Sequence, residues 1–175
     1  MRIALAGLIF QVANPASWSA DWAWSLPLIV FTVILHVFGL LLINHRVEGL
    51  GGEFRKRHIY PFVFVMIIGA TGLSATLLHA VEAMIWALTY RWVNALPDNS
   101  SAILYSLNAI TSYGHENLDL AKHWQLMGAL EALNGMLLFG LTTAFLFGII
   151  QTVWQLRGIE PALAERENSL AAQSH

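Results

Sequence analysis

The chain has 175 residues and a net charge of −2, with 57% hydrophobic residues against 11% charged. That balance, with a mean hydropathy of +0.58, is the composition of an integral membrane protein rather than a soluble domain. The lack of cysteine excludes disulfides, thiol catalysis, iron–sulfur clusters and thiolate zinc sites, and no basic stripe points to nucleic acid.

Met1 to Trp24 opens with MRIALAGLIFQVA, one positive charge ahead of a run of apolar residues, a weak likeness to a signal peptide. Asn14-Pro15-Ala16 makes a poor cleavage site. Trp18, Trp22 and Trp24 instead favour a short helix at the membrane interface, where indole rings concentrate. Ser25 to Asn44 is the first predicted span, its roughly 20 residues covering about 30 Å, the thickness of the hydrocarbon core. Pro27 falls in the first turn of that span, where a missing N–H costs little. Residues 45–58, HRVEGLGGEFRKRH, hold four Lys/Arg and three glycines and read as a polar cytoplasmic connector.

The second predicted span runs from residue 59 to about 95, with Tyr90 and Trp92 as interfacial anchors at its far end. Gly69, Gly72, Ser74 and Ala75 form a small-residue surface that admits another helix. Pro97-Asp98-Asn99-Ser100 then breaks the chain and offers N-caps for a new helix over about 101–110. That helix, at about 15 Å, is too short to cross a bilayer. The third span begins near His123-Trp124 and runs to about Leu156, roughly 50 Å. The tail from Arg157 is polar, and its helix is expected to fray beyond Arg166. The predicted organisation is thus an interfacial segment (1–24), a first span and connector (25–58), a pore-like unit (59–156) and a short tail (157–175).

Residues 95–121 carry Asp98, Glu116 and Asp119 but no Lys or Arg. Set against the basic connector, this places the N-terminus outside and the C-terminus in the cytoplasm, in a plasma or inner membrane. The fold class expected is all-α, with three transmembrane helices and a short re-entrant helix and loop between the second and third.

The stretch Ala102 to Asn117, AILYSLNAITSYGHEN, carries the functional signal. Non-helical backbone at membrane depth survives only where protein or a water-filled cavity surrounds it. One copy cannot encircle a path, so a symmetric oligomer is implied, with carbonyls and hydroxyls of each copy replacing a cation's hydration shell.

In this order of span, short helix, Thr/Gly turn and span, the chain resembles the pore domain of tetrameric potassium channels. Laid without gaps on that family's Thr-Thr-Val-Gly-Tyr-Gly-Asp filter, Thr111 and Ser112 fall on the threonines, Tyr113 on the valine and Gly114 on the first glycine. Tyr105 and Ser106 fall in the pore helix, and Trp124 at an aromatic position that opens the inner helix. A register with one deletion, setting Tyr113-Gly114 on the filter's Tyr-Gly, stays open; the ungapped one also places Trp124. The resemblance covers about residues 95–155, and just over half of the chain with the second span as outer helix.

The resemblance implies a homotetrameric, potassium-conducting pore among membrane lipids. It needs no cofactor beyond permeant potassium or other monovalent cations. Its filter would be Thr111, Ser112, Tyr113, Gly114, His115 and Glu116. Asn134, Gly135, Gly140 and Thr143 would serve as inner-helix hinge and cavity residues. His115, Glu116 and Asn117 depart from the family's aromatic, glycine and acid. Glutamate resists the left-handed backbone glycine accepts, by about 1–2 kcal/mol. The outer half of the filter is therefore expected to take another shape, with a carboxylate ring at its mouth and altered or reduced selectivity.

His36, His79, Glu82 and Glu131 fall within spans, where each needs a partner or water. His79, Glu82 and Trp86 share a helix face. By helical rise, Glu82 lies about 12 Å and Glu131 about 10 Å below the same interface. This predicts a network of His79, Glu82 and Glu131 behind the filter, with Ser106 and Asn108 as partners and His36 as a lone packing residue. Glu131 lining the cavity is the alternative role. The competing function is a membrane haem- or metal-binding protein using His36, His79, Glu82 and Glu131, and a third is a non-conducting accessory subunit. No nucleophile–base pair or phosphate loop marks an enzyme, and the first span lacks an Arg ladder.

Overall fold

The computed structural model describes residues 15–54, 60–114 and 118–173. Those residues are all-helical. Helix α1 is Pro15–Phe54, α2 is Tyr60–Trp92, α3 is Asn99–Ile110, and α4 is Gln125–Gln173, preceded by a 3-10 turn at Lys122–Trp124. Trp18–Gly49, Val65–Trp92 and Lys122–Gln151 are long and apolar enough to cross a membrane. By length and composition this is a multi-pass membrane protein.

Helix α1 departs from the expected span at both ends. It starts at Pro15, so Pro27 lies in its interior and removes a helical hydrogen bond, which its first-turn placement would have spared. It also runs through residues 45–54 of the expected connector. Asn44 Nδ2 donates to Glu48 Oε1 (2.8 Å), a one-turn pair that supports helix where the glycines weaken it. Helix α4 likewise continues to Gln173, past the point of expected fraying.

The long helices bury polar groups and expose apolar ones. On α1 the buried face holds Asp21, Ser25, Thr32 and His36, while Leu26, Val30, Phe31, Ile34, Val37 and Phe38 are exposed. In water this pattern would be inverted; in lipid, polar side chains gain by facing other helices, which they join through hydrogen bonds.

The chain divides into two compact units. The first comprises Met1–Phe38 and Leu77–Phe139. Its core joins Trp86, Ala87 and Tyr90 of α2 to Ala102, Tyr105 and Ala109 of α3 and to Trp124 and Met127, with Leu28 and Ile29 of α1 packed alongside. Trp24 and Trp92 meet edge-to-face, ring centroids 5.3 Å apart. The second unit comprises Gly39–Thr76 and Gly140–His175. Gly69, Gly72 and Gly140 there face open space, Thr142 is buried and Thr143 exposed. Thr71 and Ser74 turn their hydroxyls back onto their own helix, donating to Ile67 and Ala70 carbonyls.

Candidate functional site

The site lies in the first unit and begins with the cap of α3. Asp98, in extended backbone, accepts from the Ser101 N–H (2.8 Å) and from the Ser101 hydroxyl (2.8 Å). These hydrogen bonds, backbone first, hold its carboxyl below the ordinary aspartate value. Arg91 secures the preceding turn, donating Nε to Asn99 Oδ1 (2.9 Å) and Nη1 to the Leu96 carbonyl (2.6 Å).

Helix α3 buries Ala102, Tyr105, Ser106, Ala109 and Ile110, and α4 is shaped to receive them. A Cβ added at Gly128 would lie 2.1 Å from Tyr105 Oη, and one at Gly135 would lie 2.0 Å from the Ile110 carbonyl oxygen. Gly128, Glu131 and Gly135 follow i, i+3, i+7 spacing and so share one face of α4. The glycines let α3 approach, and Glu131 between them supplies the polar contact. The Tyr105 side chain is buried at this contact.

Two polar clusters flank this seat. In the first, the Tyr90 hydroxyl donates to Glu131 Oε2 (2.6 Å), and Ser106 Oγ bonds to Glu131 Oε1 and to the Ala83 carbonyl. Ser106, Tyr90 and Glu131 are all buried, so α2, α3 and α4 meet at one carboxyl group. In the second, His36 Nδ1 lies 2.8 Å from Glu82 Oε1, and His79 Nδ1 lies 3.2 Å from Glu82 Oε2. Phe139 stacks on the His79 ring, centroids 4.3 Å apart. Farther along α1, Asn134 Nδ2 donates to Thr32 Oγ1 (2.8 Å). Asp21 Oδ1 accepts from the Met127 N–H (3.1 Å), one of the amides that the first turn of α4 leaves without a helical partner.

At the other end of α3, the Ser112 N–H bonds to the Ala109 carbonyl (2.9 Å) and the Tyr113 N–H to the Asn108 carbonyl (3.0 Å). With Ser112 at φ 55, this is a Schellman ending with serine where glycine is usual. Gly114 follows at φ 95. Thr111, Ser112, Tyr113 and Gly114 are all exposed, and Tyr113 is 85% exposed.

The residues singled out in sequence thus separate. His79 and Glu82 group with His36, which is no lone packing residue. Ser106 groups with Glu131, while Asn108 contributes its carbonyl to the turn. Asn134 meets Thr32, and Gly135 seats α3. Tyr90, read as an interfacial anchor, is fully buried and bonds to Glu131. His115, Glu116 and Asn117, and the segment before Pro15, lie outside the described residues. Sequence reasoning missed Gly128, Asp21 and Thr32. The Gly128–Gly135 heptad was readable, but Asp21–Met127 and Thr32–Asn134 stand 106 and 102 residues apart and leave no local trace. No family model, curated protein or solved structure matches this chain.

Proposed function

We propose that this protein is the pore-forming subunit of a homotetrameric cation channel, most readily one for potassium, with an altered filter around Thr111–Glu116. The observation that carries the reading is a helix too short to cross a membrane, fastened between two spanning helices, that ends in an exposed Thr-Ser-Tyr-Gly turn. A selectivity filter requires a rigid scaffold behind it and bare backbone in front. Gly128, Gly135, Ser106 and Glu131 supply the scaffold. In front, Ser112 and Gly114 adopt the left-handed backbone that lets carbonyls turn to one axis, Ser112 doing so while it caps α3.

In this reading α3 re-enters the membrane from outside, and four copies bring their turns together around a path. Tyr113, bare in one copy, packs against its neighbours. Glu116 and its symmetry mates gather cations at the mouth. Neither a cofactor nor a catalytic group has a part in this; the work is selective passage, and the permeant ions are monovalent cations.

Flux into liposomes containing the purified protein tests the proposal. Rb⁺ uptake exceeding Na⁺ and Ca²⁺ uptake is expected, with a tetramer by native mass spectrometry. Gly114→Ala should reduce flux sharply, because alanine resists φ near 95. A folded, tetrameric protein that passes none of these ions would overturn the reading.

A further inference from the structure

The cluster of His36, His79 and Glu82 has no part in the seat of α3, and its chemistry is different. Each residue offers one ligand atom, and these atoms lie within 4.8 Å of one another. Two are imidazole nitrogens and one is a carboxylate oxygen. The side chains of His36 and Glu82 are fully buried, and His79 is 8% exposed. All three lie in the first unit, His36 on α1 and the other two one turn apart on α2.

Simple hydrogen bonding accounts for only part of this arrangement. The His36 contact to Glu82 Oε1 has hydrogen-bond geometry at 2.8 Å. Glu82 Oε2 is buried and, among the described residues, takes part in no hydrogen bond of acceptable geometry. It nevertheless points at His79 Nδ1, 3.2 Å away. A carboxylate in a span needs a compensating charge. In a tetrahedral site with metal–ligand bonds near 2.0–2.1 Å, ligand atoms stand about 3.3 Å apart. The two separations, 2.8 Å to Glu82 Oε1 and 3.2 Å to Glu82 Oε2, both lie just short of that spacing.

We infer that His36, His79 and Glu82 form a binding site for a divalent transition-metal ion of the zinc class, held between the first and second helices. Two imidazoles and one carboxylate suit such an ion, whereas magnesium and calcium prefer shells of oxygen. Three protein ligands leave a fourth position for water. His79, at 8% exposure, is the least buried of the three ligands. Phe139, stacked on the His79 ring, fixes the plane of that ligand. The ion would tie α1 to α2 across a separation of 46 residues and stabilise the folded state by mass action. This inference does not rest on conduction, since every readout below is metal binding.

The test uses the full-length protein in detergent, with any purification tag removed. Titration with Zn²⁺ should show one ion bound per chain and a raised unfolding temperature, with Mg²⁺ producing neither. Co²⁺ in place of zinc should give the intense visible absorption of a four-coordinate site, a readout that needs no variant. His36→Gln, His79→Gln and Glu82→Gln should each weaken Zn²⁺ binding by about 100-fold or more, beyond the roughly 10–100-fold typical of losing only a supporting contact. Replacing the exposed His45 and His123 by Ala should leave it unchanged. If the folded wild-type protein bound no Zn²⁺, or gave only the pale spectrum of six-coordinate cobalt, the site would be refuted. So would binding undiminished in a folded His79→Gln protein.

Discussion

At the residue scale, Gly135 and Ser112 are the positions where one atom decides most. At Gly135 a methyl group would collide with the backbone of Ile110, which cannot swing aside as a side chain can. Gly135→Ala should therefore cost about 1–3 kcal/mol, as overpacked cores do. Gly140→Ala, which meets open space, serves as the matched control and should stabilise by up to about 1 kcal/mol through helix propensity. Thermal unfolding of the two variants in one detergent checks both. Ser112→Gly should act in the opposite sense, stabilising by about 1 kcal/mol as the left-handed penalty is relieved. Glu131 offers a sharper chemical contrast. In Glu131→Gln, the amide oxygen can accept from Tyr90 while its N–H donates to Ser106, so every partner stays bonded. Glu131→Ala leaves the buried Tyr90 hydroxyl without its acceptor, at about 1–3 kcal/mol, while Ser106 keeps the Ala83 carbonyl. Calorimetry should rank Gln close to wild type and Ala well below. The need of Glu131 for a partner was legible in sequence, and so was the nearness of Ser106. Tyr90 was not, because an aromatic at the end of a span looks alike whether its hydroxyl faces headgroups or a carboxyl group.

At the scale of elements, α3 is a helix held at both ends by different chemistry. The Asp98 carboxylate closes one end, and its carboxyl titrates below its ordinary value of 3.8 because the charged form is bonded to Ser101. A lowered folded-state value means the cap is fully present above that ordinary value and is lost as pH falls through the folded one. Amide exchange in the first turn of α3, corrected for intrinsic rates, should accelerate only in strong acid. In Asp98→Asn, which still accepts from the Ser101 N–H, that acid step should vanish; Asp98→Ala should exchange faster at every pH. The existence and brevity of α3 were legible from Pro97 through Ser100 and from the length of the apolar run. The ends of the long helices were less so. The turn residues of 45–54 promised a loop, and helix prevailed, with Asn44–Glu48 among the contacts that support it.

For the molecule as a whole, the inside-out distribution of polarity was readable from composition, whereas the pairing of polar groups was not. Orientation across the membrane can be checked with unusual ease because the chain has no cysteine. Ser100→Cys and Glu48→Cys place single thiols at exposed positions in the first turn of α3 and on α1. If the positive-inside rule governs here, an impermeant maleimide labels the first in intact cells and the second only after permeabilisation. The reverse pattern would put the Thr-Ser-Tyr-Gly turn on the cytoplasmic side.

The polar face of α1 also sets a limit on how this architecture can be divided. Asp21 closes the first turn of α4, Thr32 meets Asn134, and His36 meets Glu82. A two-helix module cut from the chain at α2 would therefore present a carboxylate, an amide and an open helix end directly to hydrocarbon. Helix α1 is thus no accessory fused to a self-sufficient core. A shortened protein starting at Tyr60 should fail to insert or assemble, and supplying α1 as a separate peptide should rescue it.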